Sequence, residues 1–177
     1  VPLFARKGPD HDVFFRVRPA GSEHCSGVGR AVDHTDGKSV IQHDLTFPGG
    51  REKKFSCDAD DLLLLGFPVY AGRLPRPVSG FLAGLVGNGG VAVPVAVYGN
   101  RHYDDALLEA VDILQEQGFA VPAAAAFVAE HGLTPKVGTE RPSRPDMVAA
   151  GDFSENFVVA CVHSRGSYFV GYFIDLS

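Results

Sequence analysis

Two short hydrophobic runs, Asp61–Phe67 and Val91–Tyr98, pass through this chain without alternating with polar residues. A strand with one face in water alternates, whereas one covered by helices on both faces does not. Both runs are therefore expected to be buried strands of a parallel sheet. Each ends in a loop rich in Gly, aromatic and polar residues: Pro68-Val69-Tyr70-Ala71-Gly72-Arg73 after the first and Gly99-Asn100-Arg101-His102-Tyr103-Asp104-Asp105 after the second. Loops at the carboxyl ends of neighbouring parallel strands line the ligand crevice of an open sheet. Two Tyr-bearing loops at one edge point to a flat ligand held between them.

Helical spacing appears after each loop. Val78, Phe81, Leu82 and Leu85 predict a helix over Arg76–Val86, stopped at Gly87. Ala106, Leu107, Ala110, Val111 and Leu114 form a stripe on a second helix, with Asp104 as its cap and Gly118 at its end. Further strands are expected at Val13–Val17, Val40–Leu45 and Phe119–Val128, the last at a sheet edge because it contains Pro122. Asn156–Val162 and Ser167–Ile174 alternate enough to read as strands around a turn at Arg165-Gly166. Ser26–Val32 reads as a short helix, and its GVGRAV places Val32 where a dinucleotide fingerprint needs a small residue. Five strands with intervening helices predict an α/β three-layer sandwich with a five-stranded parallel sheet. Residues 1–177 form one domain in this reading, with 1–12 a loose arm, Thr46–Asp60 a polar connection and 147–177 an irregular C-terminal segment.

Composition adds limits. The 177 residues are 45% hydrophobic, enough for one core. The net charge of −5 argues against nucleic acid and anionic membranes as partners. No apolar run reaches the roughly 18–20 residues that a membrane span needs. The chain opens Val1-Pro2-Leu3-Phe4 with no initiator Met, so its start is expected upstream. Cys25, Cys57 and Cys161 show no CxxC spacing, which predicts reduced thiols and a cytoplasmic protein. The histidines lack ligand spacing, and no Gly-x-Ser-x-Gly elbow is present, so neither a metal site nor covalent catalysis is expected.

PVYAGRLP, then VYGNRHYDDALLEAVDILQEQGF, AAAAFVAEH and a later RPSRPD, give a specific resemblance over Asp61–Asp146. The chain resembles the flavodoxin-like domain of anaerobe FMN proteins, which in many relatives is fused to a ferredoxin-type iron–sulfur module. The resemblance implies a strand order of 2-1-3-4-5 and FMN at the carboxyl edge. It implies cofactor contacts from Pro68, Val69, Tyr70, Ala71 and Gly72, and from Tyr98, Gly99, Asn100, Arg101, Tyr103 and Asp104. Tyr98 is expected to be the main flavin cover, with Tyr70 beside it. The phosphate would lie at Arg18, Pro19, Ala20, Gly21 and Ser22, where relatives carry S-P-T-G-T-(T/S). This chain keeps Pro19, Gly21 and Ser22 but loses most of the hydroxyls and gains Glu23.

An electron carrier serving redox partners, such as a ferredoxin-type iron–sulfur protein, is the function this implies. An FMN-dependent NAD(P)H or quinone reductase and a flavin-free interaction module are the alternatives. Asp104 and Asp105 are expected to disfavour an anionic reduced flavin and so to lower its potential.

Overall fold

The computed structural model describes residues 2–7, 11–16, 39–52, 54–57, 59, 61–131, 133–134, 136–163 and 172–175. For 2–7, 11–16, 39–42, 44, 154–163 and 172–175 the description is of the backbone alone. In chain order the elements are β1 (Pro2–Lys7), β2 (His11–Arg16), β3 (Ser39–Asp44), α1 (Pro48–Arg51), β4 (Leu62–Pro68) and α2 (Arg76–Leu82). They continue with β5 (Val91–Tyr98), α3 (Ala106–Glu116), β6 (Ala123–Val128), α4 (Arg144–His163) and β7 (Tyr172–Asp175).

The centre of the molecule is an α/β arrangement in which β4, β5 and β6 run parallel. Leu62 pairs with Val91 and the register holds through Pro68 opposite Val97. Val95 through Tyr98 then face Ala125 through Val128. These strands are buried on both faces, as their unbroken apolar runs require. Side-chain parity assigns the faces. Leu63, Leu65, Phe67, Ala92, Ala96, Tyr98, Ala124, Ala126 and Val128 pack in one core with α2 and α3. Leu64, Val93, Val95, Val97, Ala123, Ala125 and Phe127 pack in the other with Ala150 and Phe153 of α4. There Phe127 and Phe153 meet edge to face with centroids 6.0 Å apart. Each fully buried Leu, Val or Phe contributes roughly 1.5–3 kcal/mol relative to exposure.

The outer backbone departs from the sequence reading in several places. Pro2–Lys7, expected as a loose arm, forms β1 antiparallel to β2, and Leu3-Phe4-Ala5 supplies the apolar centre of that strand. β2 pairs parallel with β3 and with β4, and β7 pairs parallel with β6. β6 therefore has a neighbour on each side rather than an edge position. Pro122 stands between the isolated Ala120–Val91 bridge and the first residue of β6. Asn156–Val162, read as a strand, belongs to the 20-residue helix α4. The spacing Phe153, Phe157, Ala160, Cys161 is helical, and it prevails over the short local alternation. The segment from 147 on, expected as irregular, thus contains α4 and β7. α2 ends at Leu82, four residues early. Ala83 and Gly84 turn there, and the Gly84 N–H donates to the Phe81 carbonyl at 3.0 Å. Val17, the Ser26–Val32 helix and the turn at Arg165-Gly166 lie outside the described residues. Among the described residues no helix is long and apolar enough to cross a membrane.

Candidate functional site

The carboxyl ends of β4, β5 and β6 deliver three loops to one edge. After β4, the Val69 N–H still donates to the Val97 carbonyl at 2.9 Å. The chain then reverses at once: Tyr70 and Arg73 exchange both backbone hydrogen bonds at 3.1 Å. Ala71 and Gly72 between them have φ of 51° and 73°. Two left-handed central residues define a type I′ turn, the tight reversal whose twist suits a two-residue hairpin. Tyr70 stands at the base of this turn with 53% of its surface exposed.

The loop after β5 behaves differently. Tyr98 is the last strand residue, its parity turns it toward α2 and α3, and it is 5% exposed. Its ring meets half-buried Tyr103 edge to face at 5.4 Å. Tyr98, expected as the principal cover, is thus buried, whereas Tyr70 is exposed at the same edge. Asn100 and Asp104 turn the chain with φ of 53° and 43°. The residue capping α3 is Asp105 rather than Asp104, and it makes no side-chain cap bond. Its carboxylate instead accepts from Arg73 Nη1 at 3.4 Å, between two exposed groups. Glu109, one turn further, accepts from Arg73 Nη2 at 3.3 Å and from the Leu74 N–H at 3.0 Å.

Asp104 has another place. A Cβ built on Gly72 would lie 2.9 Å from both Cβ and Cγ of Asp104, so the first two loops are in direct contact and only glycine fits. Gly99 is held likewise, since its Cβ would come 2.9 Å from the Cα of His131. That residue belongs to the third loop, which follows β6. There the Glu130 N–H donates to the Arg141 carbonyl at 3.0 Å and the His131 N–H to the Val137 carbonyl at 3.1 Å. Asp146 fastens its far end, accepting from Arg141 Nε and Nη2 at 2.6 Å each and from the Ser143 N–H and hydroxyl at 2.6 and 2.7 Å. Ser143 and Asp146 have the S-x-x-D spacing that closes a helix N-terminus. Burial pushes the Asp146 carboxyl up, but the bonds from Arg141 and Ser143 outweigh it and hold the group below its ordinary value.

The structure thus brings Pro68, Val69, Tyr70, Ala71 and Gly72 together with Tyr98, Gly99, Asn100, Arg101, Tyr103 and Asp104. Pro68 and Gly72 are buried, while Asn100 and Arg101 are exposed. Arg18, Pro19, Ala20, Gly21 and Ser22 lie outside the described residues. The third loop, over 129–143, joins this edge although the sequence pattern does not mark it as part of the site. Its signal was the parallel direction of the strand before it, which sends its end to the same edge. Among the described residues, Ala71, Asn100, Asp104 and Glu140 at this edge have positive φ, and Asn88 is the one other non-glycine that does. Such strain collects where a loop's shape matters more than its stability. An exposed aromatic beside closely spaced backbone suits a flat, hydrogen-bonding ligand. No family model, curated protein or solved structure matches the chain.

Proposed function

We propose that this protein binds FMN at the carboxyl edge of its sheet and carries electrons between redox partners, in a flavodoxin-like fold with strand order 2-1-3-4-5. The observation that carries the reading is Tyr70, exposed on a type I′ hairpin that rests against the Asp104 loop. A flavin needs an aromatic cover for its ring and backbone groups along its pyrimidine edge, and these two loops offer both. The parallel pairing of β2 with β3 and β4 supports the strand order. The Arg18–Ser22 turn is the segment proposed to take the phosphate, and a ferredoxin-type iron–sulfur protein is the proposed partner. Asp104, in contact with Gly72 of the Tyr70 turn, is the carboxylate proposed to face the ring. Asp104→Asn is expected to raise the flavin potential by on the order of 100 mV, measured by redox titration.

The visible spectrum of the purified protein tests the reading, with flavin bands expected near roughly 370 and 450 nm. Mass spectrometry of the extracted ligand distinguishes FMN from FAD. A colourless protein whose apo form takes up no FMN would overturn it. Rapid NAD(P)H oxidation without a partner protein would replace the carrier by a reductase.

A further inference from the structure

We infer that Glu109 is a positioning residue that fixes the Tyr70 hairpin at the ligand edge, an inference that rests on the FMN reading for its functional consequence. The backbone between β4 and α2 explains why. The last sheet bond of this connection is the Val69 N–H to the Val97 carbonyl at 2.9 Å. Beyond it, the Tyr70 and Arg73 backbones bond only to each other, which shapes the turn but gives its backbone no bond to the rest of the sheet. The next donor is the Leu74 N–H, and the residue after it, Pro75, has none. That Leu74 donor goes to Glu109 Oε2 at 3.0 Å. The hairpin therefore hangs between two anchors, one from β5 and one from α3.

The second anchor is well built. Glu109 lies in the first turn of α3, where the helix dipole favours a carboxylate. Its side chain is 26% exposed, and its two oxygens are divided, one to the Leu74 backbone and one to Arg73. Leu74 is 3% exposed, so its amide has little access to water as a substitute partner. The Arg73 contacts, 3.4 Å to exposed Asp105 and 3.3 Å to Glu109, are long and come from a guanidinium side chain that is 59% exposed, so they are the weaker ties. The same carboxylate also joins the hairpin to the helix that follows the Asp104 loop, so Glu109 sets the spacing of the two loops that would enclose the ring.

The test compares Glu109→Ala, Glu109→Gln and Arg73→Ala with wild type. Amide hydrogen exchange, read residue by residue by NMR without ligand, is expected to speed up about tenfold at Leu74, Tyr70 and Arg73 in Glu109→Ala. Glu109→Gln, which keeps an acceptor oxygen, is expected to restore most of that protection, and Arg73→Ala to change it by about twofold at most. Amides of β5 and β6 stay protected in all three, which separates local release from unfolding. FMN titration, followed by quenching of flavin fluorescence, is expected to show about tenfold weaker binding for Glu109→Ala and a smaller loss for Glu109→Gln. Unchanged exchange at Leu74 overturns the anchoring, and released amides with wild-type FMN affinity overturn the positioning role. Wild-type protein that binds no FMN defeats the functional reading alone, because the exchange data still decide whether Glu109 holds the hairpin.

Discussion

The loops after β4 and β5 leave neighbouring parallel strands at the same edge, and each carries a tyrosine. They use it in opposite ways. Tyr98 closes its strand in register with Val128 and fills the core under α2 and α3. Tyr70 lies two residues beyond its strand, after the side-chain alternation has ended, and the turn lifts it into solvent. A shift of two positions relative to the strand end thus separates a packing residue from a presenting one.

Replacing the two rings is the sharpest way to break that comparison. Tyr98→Ala is expected to cost about 3–5 kcal/mol of stability, as large core truncations do. Tyr70→Ala should change stability by no more than about 0.5 kcal/mol, yet, on the proposed function, weaken FMN binding by about 1–2 kcal/mol. Urea denaturation and FMN titration of both variants measure this. Equal stability losses would show that burial does not separate them. Gly72→Ala comes next, at about 2–3 kcal/mol, since it adds a Cβ against Asp104 at φ 73°. In an Asp104→Gly background the contact is gone, and about 1 kcal/mol of backbone cost should remain.

The third loop sharpens the comparison, because a carboxylate rather than a turn closes it. Asp146→Ala is expected to cost about 2 kcal/mol at neutral pH, by loss of bonds to a mostly buried acceptor. A group held below its ordinary value stabilises the fold above the unfolded carboxyl range and loses that contribution as pH falls through its folded value. The difference between variant and wild type should therefore narrow below about pH 4. A smaller effect, of opposite sign, is expected at Ala71, where Ala71→Gly relieves a side chain held at φ 51° and should stabilise by about 0.5–1 kcal/mol.

The legible parts of the sequence were those whose signal is local. β4 and β5 announce themselves as unbroken apolar runs, and α3 by the stripe Ala106, Leu107, Ala110, Val111, Leu114. Two features were not local. α4 turns Phe153 and Ala150 onto β6, a partnership that the alternation over Asn156–Val162 conceals. The loop over 129–143 takes its shape from backbone bonds across Glu130 and Arg141 and from Asp146, none of which leaves a periodic trace. At the site the two Tyr-bearing loops were visible, but which ring faces solvent depends on where the strand stops. Helix α3 shows the same limit in small: Asp104 and Asp105 are equally good caps by composition, and the φ of 43° at Asp104 decides between them.

The glycine contacts also have a mechanical consequence. Gly72 rests on Asp104, Gly99 on His131, and Gly138 lies where a Cβ would come 2.9 Å from that of Asn100. None of these contacts has a compressible side chain on both sides, so the three loops form a chain of stiff links without slack. Contact at backbone and Cβ atoms leaves little room for one loop to shift without its neighbour, so the three loops at this edge are linked by steric contact at Gly72, Gly99 and Gly138.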